Sequence, residues 1–134
     1  MSGETYNPLD KINLAKSIEI ELLARSVDPL SSVDHIRGAG VYVIYYTGNF
    51  SPYSSIARAN LNSKFSLPIY VGKAIPKGGR KGGLNKDASS GRALSERLRQ
   101  HASSIEEADN LNLADFFIRH LSSTIFGFRS VKTF

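Results

Sequence analysis

Apolar residues recur at every fourth position near the N-terminus, at Leu14, Ile18 and Leu22, with charged residues between them. Because an α-helix turns once in about 3.6 residues, this spacing places the three side chains on one face and predicts an amphipathic helix over residues 8–27. The Asp-Pro pair at 28–29 is expected to end the helix, since proline disfavours helical geometry in the residue before it.

Runs of β-branched and aromatic residues predict three strands. They cover residues 40–46 (GVYVIYY), 68–72 (PIYVG) and 115–121 (DFFIRHL). Helices are predicted at 54–61 and 92–104, so helices and strands mix without the regular alternation of a parallel α/β protein.

Length and composition indicate one globular domain, over residues 1–134. Hydrophobic residues make up 41% of the chain and charged residues 22%, which excludes wholesale disorder. No apolar run approaches the ~18 residues that span a bilayer, and the first residues lack the apolar stretch of a signal peptide, so we expect a cytoplasmic protein without a membrane partner. The absence of cysteine excludes disulfides and thiol nucleophiles.

The positive charge of the chain is concentrated in one segment. Residues 73–101 contain eight basic and two acidic residues, a net charge of +6, whereas the rest of the chain sums to −1. Such a segment suits a polyanion, because each phosphate that Lys or Arg neutralises releases condensed counterions, and double-stranded DNA is the leading partner. A solvated basic surface loop is the alternative. The glycine-rich stretch 76–91 is expected to be a loop, and the candidate DNA-binding residues are Lys73, Lys77, Arg80, Lys81, Lys86 and Arg92.

Two tripeptides lie on the first two predicted strands, Gly-Val-Tyr at 40–42 and Tyr-Val-Gly at 70–72, and Arg97 and His101 follow at i and i+4 on a predicted helix. Each tripeptide alone is a weak signal. In this order and combination they resemble the GIY-YIG nuclease superfamily, in its type II restriction endonuclease branch, and the resemblance covers roughly residues 6–121.

These residue types suit phosphodiester hydrolysis, which needs a deprotonated water and stabilisation of charge on the non-bridging oxygens. Arg97 can hold phosphate oxygens bidentately while His101 handles a proton. Tyr42 and Tyr70 can orient or activate the water, although a tyrosine with a pKa near ~10 is a poor base unless cations lower that value, and Lys73 and Arg97 are the candidates for this. The four predicted catalytic residues are Tyr42, Tyr70, Arg97 and His101.

Each of these residues also has an ordinary structural interpretation, as a half-buried strand aromatic or a solvated helix position. The resemblance implies an α+β fold with a small central antiparallel three-stranded sheet flanked by helices. Outside the motif, His35 and His120 are predicted to be structural, and Tyr45 and Tyr46 to alternate between core and surface.

The resemblance also implies Mg²⁺, a GC-rich palindromic site, a homodimer that cuts both strands and a cognate DNA methyltransferase. In this superfamily a glutamate on a helix after the third strand holds the metal, but residues 122–134 contain no carboxylate. No metal ligand is therefore predicted, and we expect a C-terminally truncated domain with an atypical tail.

Two functions follow from these observations. The chain is either a Mg²⁺-dependent restriction endonuclease or a catalytically impaired DNA-binding remnant that lacks the metal-binding glutamate. A structural fragment that binds nothing is a third interpretation, which the basic segment makes less favourable.

Overall fold

The structure of the protein, a computed structural model, describes residues 11–76 and 91–122. Its helices are α1 (Lys11–Leu23), α2 (Ser54–Asn60) and α3 (Ala93–Glu106), and its strands are β1 (Asp28–Pro29), β2 (Gly40–Tyr46), β3 (Tyr70–Ala74) and β4 (Phe116–Ser122). Short 3₁₀ turns precede α2 and β4. The start of the first predicted helix, most of the predicted loop 76–91 and the predicted tail lie outside the described residues.

The strands form one antiparallel sheet with the order β1-β4-β2-β3. The α+β fold is confirmed, but the expectation of three strands is wrong within the described residues, because the Asp-Pro pair at 28–29 pairs with residues 117–118 of β4. A two-residue strand has no periodicity of its own, and only its contact with β4 creates it. The first helix correspondingly ends at Leu23, since the chain must turn before it reaches the sheet edge.

Both faces of the sheet are covered. Helices α2 and α3 contribute Ala57, Leu94 and Leu98 to the larger core, which packs against one face of β2 and β4. Helix α1 places Leu22 on the other face, against Val43, Tyr45 and Leu121. Burying apolar surface on both faces explains why β2 reads as a continuous apolar run rather than an alternating one.

The predicted alternation of Tyr45 and Tyr46 between core and surface is wrong. Each is only 1% exposed, because Tyr46 packs in the larger core and Tyr45 in the smaller one on the opposite face. The Tyr45 hydroxyl accepts a hydrogen bond from Arg119 at 2.7 Å. A buried phenol keeps a polar partner in this way.

The loop between α2 and β3 is held by Asn60, which is 1% exposed. Its side-chain Nδ2 donates to the carbonyls of Tyr46 (3.0 Å) and Leu67 (2.9 Å), and its Oδ1 accepts from the Leu67 amide at 2.9 Å. The loop includes Asn62 and Ser63 in left-handed conformation, with φ of 59° and 62°. Asn60 thus joins the segment before β3, which contains Leu67, to the end of β2. Strand β3 begins with Tyr70.

The strand predicted at 68–72 is observed two residues later, at Tyr70–Ala74. The other predicted elements agree closely with the structure. Helix α2 spans Ser54–Asn60 where residues 54–61 were predicted, α3 ends two residues later than predicted, and β4 begins at Phe116. Among the helices that the structure describes, none has the length and apolar character needed to cross a membrane.

Candidate active site

The two tripeptides meet on adjacent antiparallel strands. Tyr42 of β2 pairs directly with Gly72 of β3, and Tyr70 lies two residues before that glycine, on the same face of the sheet. Helix α3 packs over this face and brings His101 to the tyrosines. Residues that are far apart in sequence therefore converge at one end of the larger core.

Gly72 permits the close approach of the two tyrosines. A Cβ at this position would lie 2.6 Å from the Tyr42 hydroxyl oxygen and 2.8 Å from Cε2 of Tyr70, both shorter than real Cβ contacts. Gly40, at the start of the first tripeptide, has φ of 157°, and a Cβ there would collide with the carbonyl oxygen of Leu121 on β4. Steric crowding thus explains why glycine occupies both positions, which the sequence alone did not reveal.

The three rings form a contiguous cluster. The Tyr42 and Tyr70 rings are stacked with centroids 6.0 Å apart, and the His101 ring lies 4.6 Å from Tyr70 and 5.6 Å from Tyr42. The tyrosines differ in accessibility, since Tyr42 is 1% exposed and Tyr70 is 47% exposed. Tyr70 is therefore the hydroxyl-bearing residue that solvent and a substrate can reach.

The Tyr42 hydroxyl and Nε2 of His101 are hydrogen-bonded at 2.9 Å. The pKa of Tyr42 is raised to about 12, chiefly by burial and also by the charge and hydrogen bonding of Tyr70, whereas the positive charge of Arg97 acts in the opposite direction. We expected neighbouring cations to lower this pKa, but the net shift is upward. Desolvation of the phenolate outweighs its attraction to the positive charge of Arg97. Tyr42 is a neutral hydrogen-bond donor at neutral pH.

Burial also lowers the pKa of His101 below its ordinary value of 6.5, and the positive charge of Arg97 lowers it further. The imidazole is therefore neutral near pH 7. In the tautomer with its proton on Nδ1, its Nε2 accepts the hydrogen bond from Tyr42. His101 is accordingly placed to receive a proton.

Arg97 lies one helical turn before His101 and is exposed. It lines two adjoining cavities, one of about 470 Å³ that extends toward the start of α3 and one of about 170 Å³ that also includes His101. Its Nη1 donates to Oε1 of Gln100 at 3.4 Å. The sequence interpretation gave Gln100 no functional role, although its position three residues after Arg97 on a helix is a usable signal.

The structure brings the four predicted catalytic residues together, but it separates some of the predicted DNA-binding residues from them. Lys73 pairs with Val41, so it projects on the α1 face of the sheet, opposite the tyrosine cluster. Arg92 lies at the start of α3, where it donates to the Ser95 hydroxyl and the Asp34 carbonyl, each at 3.3 Å. The other four, Lys77, Arg80, Lys81 and Lys86, lie outside the described residues.

The residues around the tyrosine cluster do not by themselves suit Mg²⁺. This ion prefers carboxylate oxygens, and a phenol and an imidazole are poor substitutes. Within residues 11–76 and 91–122, no carboxylate hydrogen-bonds to the cluster and no group of three or more His, Asp or Glu side chains could hold a metal. We therefore assign no chemical step to a metal ion.

Comparison with known proteins assigns the chain to a family. The family model described as the Eco29kI GIY-YIG domain matches residues 34–129, which is more than half of the chain. The chain therefore belongs to the Eco29kI GIY-YIG domain family, which confirms the resemblance to the type II restriction endonuclease branch. The match begins later than residue 6, where the resemblance was predicted to start. No curated protein matches the chain.

Proposed function

We propose that this protein is a type II restriction endonuclease that hydrolyses phosphodiester bonds of double-stranded DNA. The observation that carries the proposal is the 2.9 Å hydrogen bond between Tyr42 and a neutral His101, on the same helix face as Arg97. This arrangement combines a proton acceptor and a phosphate-binding cation in one accessible site. Membership of the Eco29kI GIY-YIG domain family supports it independently.

In this reaction Arg97 neutralises the non-bridging oxygens, on which negative charge accumulates as water attacks phosphorus. The bond from phosphorus to the 3′ oxygen breaks, the departing oxygen takes a proton from solvent, and His101 later releases its proton to solvent. Tyr70, the exposed tyrosine, orients the water and takes up its proton while passing its own proton to Tyr42. Tyr42 in turn passes a proton to Nε2 of His101, which becomes an imidazolium. Because each phenol gives and receives a proton, no long-lived phenolate forms, which suits the raised pKa of Tyr42.

The finer features of the activity are proposed on the family resemblance. They are a requirement for Mg²⁺, a GC-rich palindromic recognition site, a homodimer that cuts both strands and a cognate DNA methyltransferase. The basic segment over residues 73–101 supports the choice of a polyanionic substrate.

Cleavage of supercoiled plasmid DNA with and without Mg²⁺ tests the proposal. We expect site-specific cutting by the unmodified chain, loss of cutting in His101→Ala, and retention of cutting in His35→Ala. His35 is a matched control because it is an exposed histidine whose nearest ion-pair partner is Asp28, at 3.7 Å. Equal cutting by all three proteins would contradict the assignment of His101 as the proton acceptor.

A DNA-binding remnant without catalysis is the second candidate. The observation that favours it is that, within residues 11–76 and 91–122, no carboxylate hydrogen-bonds to the tyrosine cluster. Absence of cutting with every divalent metal, together with salt-dependent binding of duplex DNA, would favour this function over the first.

A further inference from the structure

Tyr70 begins a strand that is paired on one side only. In the part of the sheet that the structure describes, β3 lies at the edge and pairs with β2, starting from Tyr70 opposite Ile44. Tyr70 is 47% exposed, and its ring contacts those of Tyr42 and His101. Because the core does not enclose this side chain, the place of its hydroxyl depends on how the backbone enters β3.

The entry to β3 is held by a side chain rather than by regular strand pairing. Pro68 has no amide hydrogen to donate. Both backbone groups of Leu67 bind Asn60 instead, since its Oδ1 accepts from the amide and its Nδ2 donates to the carbonyl, each at 2.9 Å. The same Nδ2 donates to the carbonyl of Tyr46, which lies beyond the last β2 residue that pairs with β3. One carboxamide thus connects the end of β2 to the entry of β3.

The loop between α2 and β3 has a backbone that depends on such contacts. Asn62, Ser63 and Phe65 have positive φ angles of 59°, 62° and 38°. Residues other than glycine adopt these angles at an energetic cost, and the angles persist only where the surrounding structure fixes them. Asn60 connects the two ends of the loop, because it is the last residue of α2 and binds Leu67. Its removal should let the loop relax and the entry to β3 shift.

The path from this contact to the tyrosine cluster is short. Two residues lie between Leu67 and Tyr70, and the second of them, Ile69, donates its amide hydrogen to the carbonyl of Ile44 at 2.7 Å. The proline that precedes Ile69 restricts the backbone, so a displacement of Leu67 has few torsions in which to be absorbed. A shift at Asn60 should therefore reach Tyr70.

We propose that Asn60 is a positioning residue, which sets the place of the Tyr70 hydroxyl beside Tyr42 and His101. Its side chain is 1% exposed, so it contacts neither DNA nor water and acts through the backbone of residues 67–70. The kinetic test of this inference rests on the proposed function, whereas its geometric test requires no activity.

Single-turnover cleavage at saturating DNA compares Asn60→Ala, Tyr70→Phe and the double variant. Asn60→Ala should lower the cleavage rate by about 10²-fold, as expected when a reacting group is misplaced by about 1 Å, while DNA affinity stays the same. Adding Asn60→Ala to Tyr70→Phe should cause little further loss, because the hydroxyl that Asn60 positions is already gone. Ser66→Ala is the matched control, since it removes a 2.7 Å hydrogen bond to the Ala59 carbonyl from the same loop. It should cleave at the rate of the unmodified chain.

The geometric test uses NMR without DNA. In Asn60→Ala the nuclear Overhauser effect between the rings of Tyr70 and His101, whose centroids are 4.6 Å apart, should weaken. Hydrogen exchange of the Ile69 amide should become faster, and Ser66→Ala should change neither signal. Circular dichroism establishes that each variant is folded. Should Asn60→Ala fail to fold, Asn60→Ser, which keeps one hydroxyl donor, takes its place in both tests.

Two results would overturn the inference. Rate losses that multiply in the double variant would assign Asn60 a general structural role, and an unchanged contact between Tyr70 and His101 would show that it does not position the tyrosine. A chain that cuts no duplex DNA in its unmodified form would contradict the proposed function instead. The NMR comparison would then still decide whether Asn60 positions Tyr70.

Discussion

The hydroxyl of Tyr42 lies 2.9 Å from Nε2 of His101, although 59 residues separate them in the sequence. Tyr42 is on the central strand β2 and His101 on the helix that covers it. Because both residues are withdrawn from water, the tyrosine is held neutral and the histidine unprotonated, which is the state in which a proton can pass from one to the other. The predictions below follow from this pair and from the packing that holds it.

Replacing Tyr42 with phenylalanine should remove the proton path while keeping the ring in the core. We expect the cleavage rate to fall by about 10²- to 10⁴-fold, the usual contribution of a positioned acid or base. Tyr45→Phe is the control, since it removes a buried hydroxyl from the other face of the sheet. Single-turnover cleavage kinetics measure both variants, and an equal loss in the two would argue against a special role for Tyr42.

The pKa of His101 should respond to Arg97. Because the positive charge of Arg97 contributes to lowering this pKa, Arg97→Gln should raise it toward 6.5. A titration followed by the His101 ring signals in NMR measures the change. The neutral imidazole is the active form, so the cleavage rate of the unmodified protein should fall on acidification only at pH values below 6.5. An Arg97→Gln protein with an unshifted titration would show that desolvation alone depresses the pKa.

Acid should destabilise the fold partly through His120. Burial is the main cause of its lowered pKa, with Arg25 and His35 lowering it further and Asp28 opposing them. The unfolded chain therefore binds protons more readily, so the free energy of unfolding is highest above pH 6.5 and falls as the pH drops from there toward the folded pKa.

His120→Leu should flatten this decline, and it should cost little at pH 7, because Nδ1 of His120 is buried without a hydrogen-bond partner among the described residues. Urea denaturation at pH 5 and pH 7 measures both effects. A pH dependence that stays the same in His120→Leu would assign the acid sensitivity to other groups.

Gly72→Ala should separate the two tyrosines. The added methyl group would meet the Tyr42 hydroxyl and the Tyr70 ring at less than 3 Å, so one ring must move. We expect a loss of about 1–3 kcal/mol in the free energy of unfolding, as for other overpacked sites, together with a marked loss of cleavage. Val71→Ala on the same strand is the control, because Val71 is 64% exposed. Chemical denaturation and plasmid cleavage are measured for both variants. A loss in Gly72→Ala alone indicates a local steric effect, whereas a similar loss in Val71→Ala would show that β3 tolerates no substitution.

Asn60→Ala should loosen the approach to β3. It removes one buried and two partly buried hydrogen bonds and leaves backbone groups of Tyr46 and Leu67 without these partners, which we expect to cost about 2 kcal/mol in the free energy of unfolding. Asn110→Ala, at an exposed position, should have almost no effect. Thermal unfolding compares the two variants. Similar unfolding midpoints would show that the hydrogen bonds of Asn60 contribute little to stability.

Much of this architecture could be predicted from the residues alone. Strand β2 follows from a run of β-branched and aromatic residues, α3 from its apolar spacing, and the family from the order of the Gly-Val-Tyr, Tyr-Val-Gly and Arg-x-x-x-His motifs. These are local signals, because strand and helix periods are properties of neighbouring residues. The i, i+4 spacing likewise placed Arg97 and His101 on one helix face.

Other features depended on contacts between distant segments. The short strand β1 exists only through its pairing with β4. Tyr45 is buried because Phe65 and Arg119, both distant in sequence, pack against its ring on the second face of the sheet. The register of β3 against β2 places Lys73 opposite the tyrosine cluster.

The sequence by itself thus determined the elements, the order of the motifs and the chemical types of the site residues. The tertiary structure decided which side chains are withdrawn from water, and with it the protonation states of Tyr42 and His101. The physical reason is that a pKa depends on desolvation and on charges a few ångströms away. Neither of these is a property of neighbouring residues in the chain, whereas helix and strand periods are.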